Sequence, residues 1–240
     1  MELQIPFYLK IFFYLLVGAG FTFLMALFKK GVINSKTDRE KGAALQGKVM
    51  LFLIAWVMLL LFGSYSGFFS NFEALPPRPL LIILITLIGI ILLVRNKTYQ
   101  TIVSGVSPQF IIYFQAFRVP LEIWLWLLFK NEIIPVQMTF EGYNFDVVPV
   151  LLAPIVGYVV FVKKTAPIWV AKAWNYFGIL TVIIIVTIAA LSMPTPLRQF
   201  LNEPTNTIIV YFPYVLLPGF LVPLAILLHV TSLMQLKNNK

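Results

Sequence analysis

The chain has 240 residues, of which 60% are hydrophobic and only 11% charged, and it carries a formal charge of +9. Soluble domains run near ~45–50% apolar and ~25% charged, so lipid is the solvent this composition fits, and the excess of positive charge reads as a topology signal rather than a nucleic-acid footprint. Cysteine is absent, which excludes disulfides, thiolate metal sites, iron–sulfur clusters and cysteine nucleophiles.

In chain order, long apolar runs predict seven transmembrane helices at approximately 6–28, 49–69, 79–94, 108–129, 147–163, 174–192 and 207–234. A span needs roughly 20 apolar residues. Backbone groups in lipid must be satisfied internally, so runs of this length are helices. The expected fold class is an all-α membrane protein, a single seven-helix domain over residues 1–240. The first run follows no basic region and precedes no small-x-small cleavage site, so 6–28 reads as the first helix rather than a signal peptide. Pro213, Pro218 and Pro223 predict a kinked last helix.

Orientation follows from Lys and Arg. The connections 29–48, 95–107 and 163–173, with Lys237 and Lys240, hold thirteen of them; the opposite side holds Arg78, Lys130 and Arg198. The positive-inside rule puts the rich side in the cytoplasm and the N-terminus outside. Glu2, Glu73, Glu132, Glu141, Asp146 and Glu203 then fall on the outer side. The expected location is the cell inner (plasma) membrane, with the lipid bilayer as partner and no nucleic acid.

Two basic residues fall inside spans. Lys10 can snorkel to an interface. Arg118, near the middle of the fourth span, cannot. Gln115, Arg118 and Glu122 lie within about 60° on a helical wheel, one polar stripe at a depth where a charge costs ~2.5–3.5 kcal/mol or more. Two readings stand. The stripe is a substrate or ion site, or it is a structural salt bridge, with Arg118 and Glu122 pairing at i, i+4. Glu141, Asn144 and Asp146 form a second cluster at the outer mouth. They read either as an acidic vestibule above Glu122 or as a solvated loop in which Asp146 caps the next helix. The bland reading is the favoured one there.

His229 is the single histidine. Alone it cannot build a multi-histidine metal site, and no metal or cofactor is expected. It reads as a packed histidine or a proton relay, at the end of the membrane opposite Asp146. Asn175 reads as interfacial. Trp126, Trp169, Trp174 and Tyr99 read as an aromatic belt. No His-Glu-x-x-His is present, and Gly63-Ser64-Tyr65-Ser66-Gly67 has Tyr65 where a nucleophilic serine would stand.

Pro108-Gln109 is similar to the proline–glutamine pair of PQ-loop transporters, which carry two copies where this chain has one. A broader likeness rests on Pro108-Gln109, Gln115-x-Phe117-Arg118-x-x-x-Glu122, Met138-Thr139-Phe140-Glu141-Gly142-x-Asn144-Phe145-Asp146 and Pro223 followed six residues later by His229. In these segments the chain resembles a group of uncharacterised bacterial integral membrane proteins of similar length. The resemblance implies a bacterial inner-membrane protein of about seven helices and supplies no activity.

The functional expectation is a small-molecule or ion transporter or binding protein with an outward-facing polar pocket. Gln115, Arg118 and Glu122 line it: Arg118 holds an anionic or polar group, and Glu122 orients it or exchanges a proton. The alternatives are an intramembrane enzyme acting on a lipid or lipid-linked substrate, for which no catalytic set is recognisable, and a structural or assembly partner in a membrane complex.

Overall fold

The computed structural model describes residues 4–36 and 38–238. Glu2 and Lys240, used in the charge count, lie outside them. Every regular element among the described residues is helical. Five helices are long and apolar enough to cross a membrane: α1 (Phe7–Asn34), α2 (Arg39–Tyr65), the span Pro108–Lys130, Ile168–Leu191 and Leu217–Lys237. A sixth is obtained if α3 (Leu80–Arg95) and α4 (Lys97–Ser104), bent by 73°, count as one span. The protein is thus a multi-pass membrane protein. The run expected at 147–163 forms a shorter apolar helix, Val147–Val162.

Local chemistry sets the breaks. Asn96 takes an extended conformation and accepts the Tyr99 N–H on its side chain, ending α3 and capping α4. Ser107 caps α5 (Pro108–Phe114), with Pro108 in the first turn. The helix tightens to a 3-10 turn over Gln115–Phe117 and resumes as α6 (Arg118–Lys130). Pro120 supplies no N–H to the preceding turn, which fits a tightening there. Next come α7 (Val147–Gly157), continued by a π turn over Tyr158–Val162, and α8 (Ile168–Leu191). A π turn over Leu217–Leu221 leads into α9 (Val222–Asn238).

The last span therefore differs from expectation. Residues 207–216 are largely irregular, and the helix begins near Leu217. Neighbouring helices satisfy the backbone that regular helix leaves open. On α2, Ser64 Oγ donates to the Val210 carbonyl (2.8 Å) and accepts the Phe212 N–H (2.7 Å). Pro223 cannot donate to the Gly219 carbonyl one turn earlier; Trp56 Nε1 donates to it instead, at 2.9 Å.

Leu217–Lys237 is the most buried of the spans, packed by α8, α5, α3, α4 and α1. Its packing core includes Phe220, Leu221, Leu224 and Leu228, with Phe13, Trp124 and Tyr214 stacked alongside. Large apolar side chains such as Leu15, Leu51, Phe62, Leu92, Ile155 and Leu180 point outward, as a lipid-facing surface requires.

Candidate functional site

The polar stripe of the α5–α6 span is buried: Gln115, Arg118 and Glu122 are 1%, 2% and 3% exposed. Gln115 Nε2 donates to the Ala225 carbonyl on α9 at 3.2 Å. The two charged groups do not close on each other. Arg118 makes its ion pair with Asp146, and Glu122 Oε2 accepts from Asn144 Nδ2 at 2.6 Å. The i, i+4 salt bridge that was one of the two readings of the stripe gives way to two interactions with the segment before α7.

Two side chains of that segment, Asn144 and Asp146, are folded into the bundle, while Glu141, Tyr143 and Phe145 stay exposed. The turn at Glu141-Gly142-Tyr143-Asn144 brings the chain back on itself; Gly142 is required there, because an added Cβ would lie 2.6 Å from Gln137 Cα. Asn144 then uses both ends of its amide. Its Nδ2 holds Glu122 and the Met138 carbonyl (3.3 Å), and its Oδ1 accepts the Asp146 N–H at 3.1 Å. Asp146 precedes α7 but makes no side-chain cap. Its Oδ1 accepts from Thr181 Oγ1 on α8 at 2.7 Å, and its Oδ2 meets Arg118. The favoured reading of a solvated loop is overturned for Asn144 and Asp146.

Glu141 is where that reading holds. It is exposed and separate from the cluster, bonded to Trp126 Nε1 (2.6 Å) and Lys130 Nζ (2.9 Å). The Lys130 hydrogen bond, then that of Trp126, holds its carboxyl below the usual range.

His229 corrects the expectation most. It was placed at the end of the membrane opposite Asp146, yet both touch Arg118: Arg118 Nη1 lies 3.2 Å from His229 Nε2. Because the helix begins at Leu217 rather than 207, His229 stands near its middle. A guanidinium can only donate, so Nε2 accepts and the ring is neutral, with its proton on Nδ1. That proton is donated to Asn175 Oδ1 at 3.0 Å. Asn175 Nδ2 donates to Ser232 Oγ (3.0 Å) and the Ala171 carbonyl (2.8 Å). Asn175 is fully buried rather than interfacial, since α8 starts two turns before it. Trp174 is also buried, donating to the Pro149 carbonyl (2.9 Å) and tilted against the His229 ring. Tyr99 is buried with its hydroxyl 2.7 Å from Thr231 Oγ1. Neither belongs to an aromatic belt.

Thr181, Gly178 and Ser232 were missed by sequence reasoning. A signal existed: Asn175, Gly178 and Thr181 recur every third residue on α8, a narrow stripe of small and polar residues. Gly178 makes room for the imidazole, since a Cβ there would collide with His229 Cε1 and Nε2.

Beside this network lies a cavity of about 290 Å³ walled by α3 (Leu80, Leu84, Leu87), α8 (Val182, Val186, Ala189) and α9, with Arg118, Glu122 and Asp146 as its charged residues. Its lining is otherwise apolar, unlike the polar pocket that was expected. The cluster holds one cation, Arg118, against two carboxylates, Asp146 and Glu122. Arg118 is committed to Asp146 and His229. Glu122 lines the cavity, and its second oxygen, Oε1, has no hydrogen-bond partner among the described residues. Among those residues no group of three or more His, Asp or Glu is placed to hold a metal ion. No family model, no curated protein and no solved structure matches this chain.

Proposed function

We propose that this is a small-molecule binding protein or transporter of the bacterial inner membrane, and that its ligand is a hydrophobic molecule with a cationic or proton-donating head. The apolar body occupies the cavity between α3 and α8, and the head meets Glu122. The single observation that carries this reading is the excess carboxylate: Glu122 lines the cavity with one hydrogen bond, from Asn144, and shares with Asp146 the single cation Arg118, whose direct contacts are to Asp146 and His229. Two buried carboxylates sharing one cation are incompletely compensated, which is costly, and a cation or proton arriving from the cavity would reduce that cost.

The same reading takes the chain as seven spans with the N-terminus outside. α3, at 16 residues, reaches about 24 Å at 1.5 Å per residue, and α7 with its π turn is of similar length. Each is short for an average ~30 Å hydrocarbon core, a mismatch that local thinning of the bilayer or flanking polar residues absorb. The alternating Lys and Arg of the connections support the orientation.

The test uses two hydrophobic ions of nearly the same shape and opposite charge, tetraphenylphosphonium and tetraphenylborate. Thermal unfolding of the purified chain in uncharged micelles is followed with each. The cation should raise the midpoint more than the anion, by mass action on the folded state, and Glu122→Gln or a cavity-filling Ala189→Trp should abolish the difference. Equal shifts for both ions, or a preference unchanged in Glu122→Gln, would overturn the proposal.

A further inference from the structure

A second groove, independent of the Glu122 cavity, opens between α2 and α3. It encloses about 300 Å³, and its floor is formed by Leu24 of α1 with Gly219, Phe220, Leu224 and Leu227. One face of α2 lines it, through Leu45, Lys48, Val49, Phe52, Leu53 and Trp56, and one face of α3, through Thr86, Gly89, Ile90, Leu93 and Asn96. Spacings of three and four residues put each set on a single stripe. The two helices run in opposite directions, so Trp56 and Thr86 lie at one end of the groove and Lys48, Leu45 and Asn96 toward the other.

We infer that this groove binds one acyl chain of an anionic phospholipid, whose phosphate is held by Lys48 at the rim. From Trp56 to Lys48 the α2 stripe rises about 12 Å. That is close to one leaflet, half of a ~30 Å hydrocarbon core. The apolar stretch between Trp56 and Lys48 is therefore of the length that the lower part of one acyl chain needs beneath its headgroup. At that level stand Lys48, the groove's only charged lining residue, and Asn96, with Arg95 and Lys97 adjoining it in the chain. Lys48 is exposed and makes no ion pair among the described residues. A basic pocket between apolar helices favours a negative headgroup. The tail needs no polar partner, and the groove offers little: Thr86 Oγ1 is turned back to the Ile82 and Ile83 carbonyls.

Native mass spectrometry of the whole chain, released from micelles containing equal amounts of dioleoyl phosphatidylglycerol and dioleoyl phosphatidylcholine, reads this directly. The wild type should retain one phosphatidylglycerol in preference to phosphatidylcholine. Lys48→Gln, on an exposed position that leaves the fold intact, should weaken retention about five-fold, the effect of one lysine at an anionic surface. Lys163→Gln, in the connection after α7, should leave it unchanged. Gly89→Leu projects a side chain into the groove, with its Cβ in ordinary contact with Phe52 at 3.6 Å, and should remove the bound lipid. Equal retention of the two lipids, or unchanged preference in Lys48→Gln, would overturn the inference. So would glycerol 3-phosphate displacing the lipid at concentrations comparable to the lipid's own, because the chain would then contribute nothing.

Discussion

Replacing Arg118 by Met removes the one cation from a buried cluster that holds two carboxylates. Breaking a buried ion pair by deleting one partner costs about 3–5 kcal/mol, because the other charge stays behind without compensation. Here both Asp146 and Glu122 are left, each under 5% exposed, so Arg118→Met belongs at the upper end, about 5 kcal/mol. Asp146→Asn belongs at the lower end, about 3 kcal/mol. The asparagine oxygen still accepts from Thr181, and Arg118 retains Glu122 one helical turn away as a counter-charge. The triple change Arg118→Met, Asp146→Asn, Glu122→Gln removes every formal charge and should recover at least half of the loss seen in Arg118→Met alone. The assay is reversible unfolding of the purified chain by dodecyl sulfate in mixed micelles, with all variants in one series. The reasoning is refuted if Asp146→Asn costs as much as Arg118→Met. It is refuted as well if the triple variant shows the plain sum of the single losses, since contacting charges should couple by about 0.5–3 kcal/mol.

Two further outcomes are expected. Gly178→Ala drives a Cβ into the His229 ring and should destabilise by about 1–3 kcal/mol, whereas Gly18→Ala on α1, with open space around it, should stabilise by about 0.5–1 kcal/mol; thermal unfolding that gives both changes the same sign would contradict the packing described. Glu141, held below the ordinary carboxyl range by Lys130 and Trp126, contributes stability that is present above the unfolded carboxyl's range and is lost as pH falls through the folded value. The fluorescence change that Trp126→Phe abolishes should therefore have an acid midpoint below that of a free glutamate, and Lys130→Met should move it upward; an unmoved midpoint would refute the hydrogen bond.

Much of this was legible in the residues themselves. The apolar runs mark the helices because lipid leaves the backbone no other solution, and Gln115, Arg118 and Glu122 stand out because charge at that depth is expensive. What could not be read was depth along the other helices. His229 was placed by assuming that the last span began at 207; the largely irregular stretch 207–216 moves the start of the helix to about Leu217 and leaves His229 near its middle. Asn175 was displaced the same way, by an α8 that starts at Ile168. Asp146 was assigned to a mouth because it precedes an apolar run, but that run is a short helix, and the turn at Gly142 carries the side chains of Asn144 and Asp146 into the bundle. Pairings across such distances in sequence follow from packing and leave no local periodicity.

The bond from Trp56 to the Gly219 carbonyl joins residues 163 apart in the chain and bears on how the protein is made. Leu217–Lys237 emerges from the ribosome after every other described helix, yet α1, α3, α4, α5 and α8 all pack against it. Until it arrives, Trp56 lacks the Gly219 carbonyl and Arg118 lacks His229. Assembly cannot proceed by adding finished layers outward from an early nucleus. The earlier helices must remain loosely gathered beside the translocon, open on one side, and close only when the final one slides into the middle. A chain stopped before Leu217 would leave a ring without its axle, a natural target for membrane quality control.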